Sequence, residues 1–388
     1  MSKFYAAKYL YLLLTFLLLT GPLPIAASPC TLTDAAFRDA SGIRGLAGKT
    51  QVPCLLYNKK KIRQHLLEIV DTKISPEKIR YEEMYFKALG IIPRDYNYKD
   101  GVINLYVSQL GGYYDAERNH YVMASWLPES LQHGIAVHEL THALQDQYYN
   151  LDSFMDVTTL SSDTLLAHSA LVEGDASAVM ADYVRRLERK PGIETADDVE
   201  ALVSQTIMGT SMIAEQSKAP KSLLSLMLFP YTSGLRFVHV LLKSGGYEAL
   251  DGAFANPPNS SRDILHPHLY LQGETSRVII PEEQMTTGKN SEVLLSDEVG
   301  EYTVRVMFEA LGYTEKRATS FAEGWVADRI LVLKNDRGQP ELLWKSLWKS
   351  SQEAQEFCSA LSVLKKHDKN VSISKQNQAV ILKINPLE

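Results

Sequence analysis

The chain has 388 residues, 45% hydrophobic and 22% charged, so it can bury a sizeable core and is not intrinsically disordered. A formal net charge of -6, with no dense basic run beyond Lys59–Lys61, argues against nucleic acid as a partner. Three cysteines are too few for a cysteine metal site or a disulfide framework. Cys30 and Cys54 could pair in an oxidising compartment, leaving Cys358 free, but the sequence does not settle this pairing.

The N-terminus has the pattern of a secretory signal peptide. Lys3 and Lys8 precede an uncharged run that is short for a hydrocarbon core of about 30 Å and ends at Gly21 and Pro22. A cleaved signal is therefore favoured over a retained membrane anchor. Its removal takes away two lysines and no acids, so the charge changes from -6 to -8. We expect a secreted or periplasmic protein with no stable membrane insertion after signal removal.

Periodicity predicts the elements in the first part of the chain. Apolar residues at helical spacing over 55–89, interrupted at Ser75 and Pro76, predict two amphipathic helices. Alternating β-branched and aromatic runs predict strands at 102–108 and 120–125. Pro128 is well placed to open a helix, and the proline-free stretch 129–149 has apolar residues at helical spacing.

Further along, two long helices are predicted at 162–188 and 196–215. The run 229–234, which contains Pro230, predicts a loop or kink before a helical stretch that reaches Leu242. A polar stretch suggests a boundary near residue 290. Beyond it we predict a helix at 302–311 and strands at 330–333, 342–347 and 380–384.

The most specific motif is His138-Glu139-Leu140-Thr141-His142, which lies inside the helix predicted over 129–149. Residues four apart on a helix share one face, so both imidazoles can bind one zinc ion while Glu139 reaches a water beside it. Chance would produce this spacing about 0.03 times in a chain of this composition. The motif predicts His138 and His142 as metal ligands and Glu139 as the catalytic base.

A catalytic zinc site takes three protein ligands and leaves a fourth position for water or substrate. Glu173, 31 residues after His142, is the best candidate for the third ligand. A buried, unpaired carboxylate is costly, and small helical neighbours would let two helices approach at Ser169, Ala170, Ala176 and Ser177. A capped or ion-paired acid is the alternative. His168 and Asp175 are weaker rivals, because helix geometry points each away from the direction of Glu173.

The motif followed by a downstream glutamate resembles the gluzincin branch of the zincin metallopeptidases, which includes thermolysin. The strings HELTHALQDQ at 138–147 and ALVEGDA at 170–176 resemble uncharacterised exported bacterial members, and the resemblance covers about residues 100–270. It implies an edge strand that holds an extended substrate, a helix with the two histidines and a helix with the ligand glutamate. Thermolysin-like enzymes have Asn where this chain has Val172 and Asp where it has Ser177, so different groups must orient the histidines.

Gluzincin-like enzymes also place a Tyr or His where the tetrahedral intermediate develops its oxyanion. Tyr231 and His266 are the candidates, because both fall in segments predicted to be irregular. Asp146, four residues after His142, could accept a hydrogen bond from a ligand histidine, although an exposed helix acid is as good an interpretation. The strand at 120–125 is expected to bind an extended peptide.

These patterns predict an α+β fold with a zincin-like metallopeptidase core, mainly helical with a small β-sheet, and a small C-terminal α+β unit. The expected divisions are a signal peptide at 1–27, a catalytic domain at 28–290 and a C-terminal subdomain of unknown role at 291–388. We expect an exported metallopeptidase that binds one Zn²⁺ and hydrolyses a peptide or protein substrate with a zinc-activated water. The alternative is a catalytically silent zincin-fold binding or scaffold protein of the cell envelope, which the intact Glu139 disfavours. An integral-membrane protease would need several long apolar spans.

Overall fold

The computed structural model describes residues 29–207, 218–274, 278–285, 292–366 and 368–387. These residues form a mixed α+β structure, mostly helical, with two small sheets. The expected α+β class is confirmed at this level. The signal peptide expected at 1–27 lies outside the described residues.

The elements up to the first sheet are α1 (Thr33–Arg44), β1 (Cys54–Tyr57), α2 (Lys59–Lys73), α3 (Pro76–Ala88), α4 (Tyr98–Gln109), β2 (Gly112–Asp115) and β3 (His120–Ala124). The central helices are α5 (Glu129–Tyr149), α6 (Leu151–Phe154), α7 (Ser162–Leu187), α8 (Lys221–Ala255), α9 (Ser261–Leu265) and α10 (Pro267–Leu271), and residues 199–207 are also helical. The last part has β4 (Glu292–Asp297), α11 (Gly300–Ala310), α12 (Glu315–Ala322), β5 (Trp325–Lys334), β6 (Pro340–Trp348), α13 (Ser351–Leu361), β7 (Val371–Gln376) and β8 (Ala379–Ile384). Short 3-10 turns lie at Pro29–Leu32, Ile193–Thr195, Glu282–Gln284 and Ser362–Lys366.

Most predicted helices are confirmed. The helix predicted at 129–149 has those bounds, and the one predicted at 162–188 ends one residue earlier. The pattern over 55–89 contains α2 and α3, although its first residues belong to β1. Of the helix predicted at 196–215, residues 199–207 are helical and residues 208–217 lie outside the described part.

The strand predicted at 102–108 is wrong, because these residues lie in α4. The side chain of Asn97 accepts a hydrogen bond from the backbone N–H of Asp100, which caps the helix start. Ile103 and Leu105 are buried. A cap and tertiary packing therefore outweigh the strand preference of the β-branched residues.

The small sheet has the order β1-β3-β2. Strand β3 pairs in parallel with β1 and antiparallel with β2, so both of its sides are hydrogen-bonded. The expectation that residues 120–125 bind a peptide by strand addition is therefore wrong for β3. The edge strands of this sheet are β1 and β2, and β2 contacts α5.

Helices α7 and α8 pack backbone against backbone. A Cβ atom added to Gly174 would lie 2.4 Å from the carbonyl oxygen of Gly234, and one added to Gly234 would lie 2.2 Å from that of Ala170. The kink predicted at 229–234 is wrong, because Pro230 lies inside α8. The helical dihedrals break instead at Gly245 and Gly246.

Within the described residues, α8 is the one helix long and apolar enough to cross a membrane. Length and composition alone give this result. Because 56% of its most apolar window is buried inside the protein, α8 has the character of a core helix.

The second sheet has the order β4-β5-β6-β8-β7, with every pair antiparallel. Its core includes Tyr85, Phe86 and Leu89 from α3 and the segment that follows it. Asp297, at the end of β4, accepts hydrogen bonds from the backbone N–H of Ser162 (2.7 Å) and from its hydroxyl (2.6 Å). The C-terminal sheet thus caps the start of α7.

The structure pairs Cys30 with Cys54, while Cys358 forms no disulfide. Cys30 lies in the turn before α1, and Cys54 begins β1. The bond therefore ties the start of the N-terminal helix to the edge of the small sheet.

Glu82 on α3 is expected to make the stability of the folded protein depend on pH. Burial raises the pKa of Glu82 to about 7, and the negative charge of Asp297 acts in the same direction. An unfolded Glu has a pKa of about 4.3, so the folded state binds more protons between these values and stability falls as pH rises. Glu82→Gln should therefore raise the melting temperature at pH 8 and not at pH 5.

Thermal unfolding at both pH values tests this expectation. The matched control is Glu83→Gln on the same helix, because Glu83 forms an ordinary ion pair with Lys87 (2.6 Å). The control should show no gain at pH 8. An effect of Glu82→Gln that is equal at both pH values would contradict the prediction.

Candidate metal centre

The two motif histidines lie one turn apart on α5, and both are 8% exposed. Their rings are nearly perpendicular with centroids 4.9 Å apart, and their Nε2 atoms lie 3.2 Å from each other. The helix follows Pro128 and ends at Tyr149, and the next residue, Asn150, has a left-handed backbone conformation. Local sequence therefore fixes both ends of the segment that carries these histidines.

Glu173 on α7 completes a triad with them. Its Oε2 atom lies 3.1 Å from Nε2 of His138 and 3.4 Å from Nε2 of His142. Ligand atoms about 2.0–2.1 Å from a tetrahedral zinc ion are separated from one another by about 3.4 Å, so this donor set fits zinc. In the described part of the chain, it is the one group of three potential ligand side chains whose donor atoms lie within 4.8 Å.

The triad is electrostatically coupled. Burial acts to raise the pKa of Glu173, but the charge of His142 and hydrogen bonds from both histidines outweigh it, so the pKa lies well below its ordinary value. Burial acts to lower the pKa of His142, but Glu173 raises it to about 9. Because a histidine binds metal in its deprotonated form, metal binding here would release a proton.

Glu139 lies beside the triad and is held by the edge strand β2. Its Oε2 atom accepts a hydrogen bond from the backbone N–H of Tyr114 at 3.1 Å. Burial raises the pKa of Glu139, while the charges of His138 and His142 act against this rise. A carboxylate with a raised pKa is suited to accept and return a proton near neutral pH.

Tyr231 on α8 lies at the same site. Its ring stacks on His138 with centroids 6.2 Å apart, and its phenol is hydrogen-bonded to Glu173. Burial raises the pKa of Tyr231 well above its ordinary value, and the charges of Glu173 and Glu139 act in the same direction. Tyr231 therefore remains a hydrogen-bond donor at any physiological pH.

The other sequence candidates lie elsewhere. Nε2 of His266 is 2.9 Å from Oε1 of Glu301, and none of its described contacts is with the triad. Nδ1 of His168 is hydrogen-bonded to the backbone carbonyl of Phe154 at 2.7 Å. Asp146 accepts a hydrogen bond from the phenol of Tyr114, not from His142.

The residue that orients His142 is Gln145, which sequence reasoning missed. Nδ1 of His142 donates to Oε1 of Gln145 at 2.8 Å. The Gln145 amide donates in turn to Asp175, the weaker rival ligand of the sequence analysis, which is ion-paired with Arg44. The spacing of three residues between His142 and Gln145 could have indicated the first contact. No pattern pointed to Arg44.

Tyr106 on α4 is a second residue that sequence reasoning missed. Burial of its phenol and the charge of Glu173 raise the pKa of Tyr106. The residue as a whole is nevertheless 46% exposed. The alternating pattern over 102–108 predicts a strand, whereas this segment is helical.

Comparison with known proteins informs only the C-terminal part. A family model described as a domain of unknown function (DUF8575) matches residues 291–385. No curated protein and no solved structure matches the chain. The triad, Glu139 and Tyr231 all lie outside the matched segment, so this match says nothing about the candidate site.

The triad predicts a metal affinity that depends on Glu173. Glu173→Ala should weaken zinc binding by roughly 100-fold or more, because loss of an outer-sphere partner alone typically costs 10–100-fold. His168→Ala is the control, because this histidine was a rival ligand and lies elsewhere. Zinc binding by both variants is measured as metal content after dialysis and by competition with a chromophoric chelator. Unchanged affinity in Glu173→Ala would exclude it as a ligand.

Proposed function

We propose that this protein is an exported zinc metallopeptidase with a zincin-type core. The observation that carries the proposal is the convergence of His138, His142 and Glu173 on one point, with Glu139 beside it. Each of these residue types has a defined place in peptide hydrolysis. The arrangement of a histidine helix, a glutamate helix and an adjacent edge strand supports a zincin-type core.

When bound, zinc lowers the pKa of a water molecule and polarises the scissile carbonyl. Glu139 takes a proton from the attacking water and delivers it to the leaving nitrogen. The hydrogen bond from Tyr114 holds its carboxylate at the edge of β2. The chain thus supplies both the base and the strand that positions it.

Tyr231 is the proposed donor to the developing oxyanion. Its phenol stays protonated and lies against the same carboxylate and imidazole that form the triad. A donor placed in this way stabilises negative charge that is stronger in the transition state than in the substrate. His266 has no comparable contact within the described residues and is not part of the proposal.

The proposed substrate is an extended peptide or protein segment. Among the described residues, strand β2 pairs with β3 alone. Its outer edge gives the N–H of Tyr114 to Glu139, and the other backbone groups of that edge are proposed to add a peptide strand through hydrogen bonds. Such a peptide would run beside α5. The signal-peptide pattern and the Cys30–Cys54 disulfide support export, because disulfides persist mainly in oxidising compartments.

Glu139→Gln tests the enzyme directly. The variant should retain zinc and lose cleavage of a fluorogenic peptide library by about 10²–10⁴-fold, since a general acid–base typically contributes that much. Glu129→Gln, in the first turn of the same helix, is the control and should be fully active. Equal activity of Glu139→Gln and wild type would exclude the proposed base. Zinc without cleavage in the wild type would favour the scaffold alternative.

Tyr231→Phe tests the oxyanion donor. It keeps the aromatic ring against His138 but removes the hydroxyl group, so kcat should fall by about 10²–10³-fold while KM changes little. Tyr148→Phe is the control, because that phenol donates to the Ala47 carbonyl oxygen at the surface. Steady-state kinetics separate the two parameters. A rise in KM with unchanged kcat would show that Tyr231 binds substrate only.

A further inference from the structure

A buried hydrogen-bond relay leads away from His142. Nδ1 of His142 donates to Oε1 of Gln145 at 2.8 Å. The Gln145 amide nitrogen donates to the carbonyl oxygen of Val172 and to Oδ2 of Asp175, both at 3.0 Å. Because only an NH₂ group can satisfy two acceptors, the amide oxygen must face His142. This places a proton on Nδ1 and directs Nε2, which lies 3.4 Å from Oε2 of Glu173, towards the metal site.

Arg44 closes the relay from a third helix. Its Nε atom donates to Oδ2 of Asp175 at 2.9 Å, and the two side chains are completely buried. Arg44 is itself held by Asp251 at 2.6 Å and lies over the ring of Tyr247. A buried carboxylate without a partner is strongly unfavourable, so Arg44 gives Asp175 its counter-charge and holds it where the Gln145 amide can donate to it.

The relay joins the two helices that supply the metal ligands. Gln145 and His142 lie on α5, whereas Val172 and Asp175 flank Glu173 on α7. The same hydrogen bonds that orient the His142 ring therefore set its distance from Glu173. His138 has no such support, because its Nδ1 atom is buried without a partner among the described residues.

We propose that Arg44 is a positioning residue of the metal centre, acting through Asp175 and Gln145 on His142. The inference rests on the proposed zinc site. Without the guanidinium, the fully buried Asp175 carboxylate loses the 2.9 Å contact that fixes its position. The Gln145 amide then loses its fixed acceptor, and His142 turns away from the geometry that the ion requires. Helix α1 is thus a structural part of the site, although it contributes no ligand.

The experiment measures metal affinity in the mature chain. Zinc binding is followed by chelator competition, and Co²⁺ is bound in place of zinc so that its visible absorption reports ligand geometry. Arg44→Met and Gln145→Leu should each weaken binding by 10–100-fold, the range for partners of ligand histidines, and alter the Co²⁺ spectrum. Arg44→Lys retains the charge without the planar donor group, so its loss should be smaller.

Asp39→Asn is the matched control. It breaks the contact between Asp39 on α1 and His133 on α5 (2.8 Å), which joins the same two helices outside the relay. Its affinity and spectrum should equal those of the wild type. The double variant Arg44→Met with Gln145→Leu should bind zinc no more weakly than Gln145→Leu alone, because both changes interrupt one path.

Wild-type affinity in folded Arg44→Met would overturn the inference, as would losses that add in the double variant. If Arg44→Met does not fold, a folded Gln145→Leu with wild-type affinity and spectrum overturns it equally. Failure of the proposed function looks different, because the wild-type chain itself would then bind no zinc.

Discussion

The backbone contact between α7 and α8 is the constraint on which the candidate site depends. Because Gly174 and Gly234 admit no Cβ atom, any larger residue there would push the two helices apart. Glu173 precedes the first glycine, and Tyr231 lies three residues before the second. The contact therefore sets how closely the phenol approaches the carboxylate. Helix α5 then needs only to bring its two histidines to a partner whose position is already determined.

Sequence predicted the fold best where local chemistry decides it. Pro128 and an unbroken apolar period determine α5, and its bounds were predicted without error. The strand predicted at 102–108 was wrong because its β-branched residues favour a strand, whereas a cap at Asn97 and burial against other elements select a helix. The kink predicted at Pro230 was wrong for a related reason. Proline removes one helical hydrogen bond, but the packing of α8 against α7 stabilises the helix by more than this loss costs.

The residues of the candidate site were likewise predictable only where a local sequence pattern determines their position. A four-residue spacing was sufficient to place His138, Glu139 and His142 together, and Glu173 followed from its small neighbours. Arg44 could not be predicted, because 131 residues separate it from Asp175 and no periodic pattern connects them. The strand order of the small sheet could not be predicted from the sequence either. Alternation identified β3 as a strand but could not show that β2 would cover the side expected to bind substrate.

The cap that β4 provides to α7 has an evolutionary consequence. The segment that matches a family model includes Asp297, yet this carboxylate accepts hydrogen bonds from Ser162, the first residue of the helix that bears Glu173. Recombination that exchanged this segment for an unrelated module would leave the backbone N–H and the hydroxyl of Ser162, at the start of α7, without this acceptor. It would also uncover the aromatic face of α3. Selection on one part therefore constrains the other, and the two are expected to be inherited together rather than shuffled.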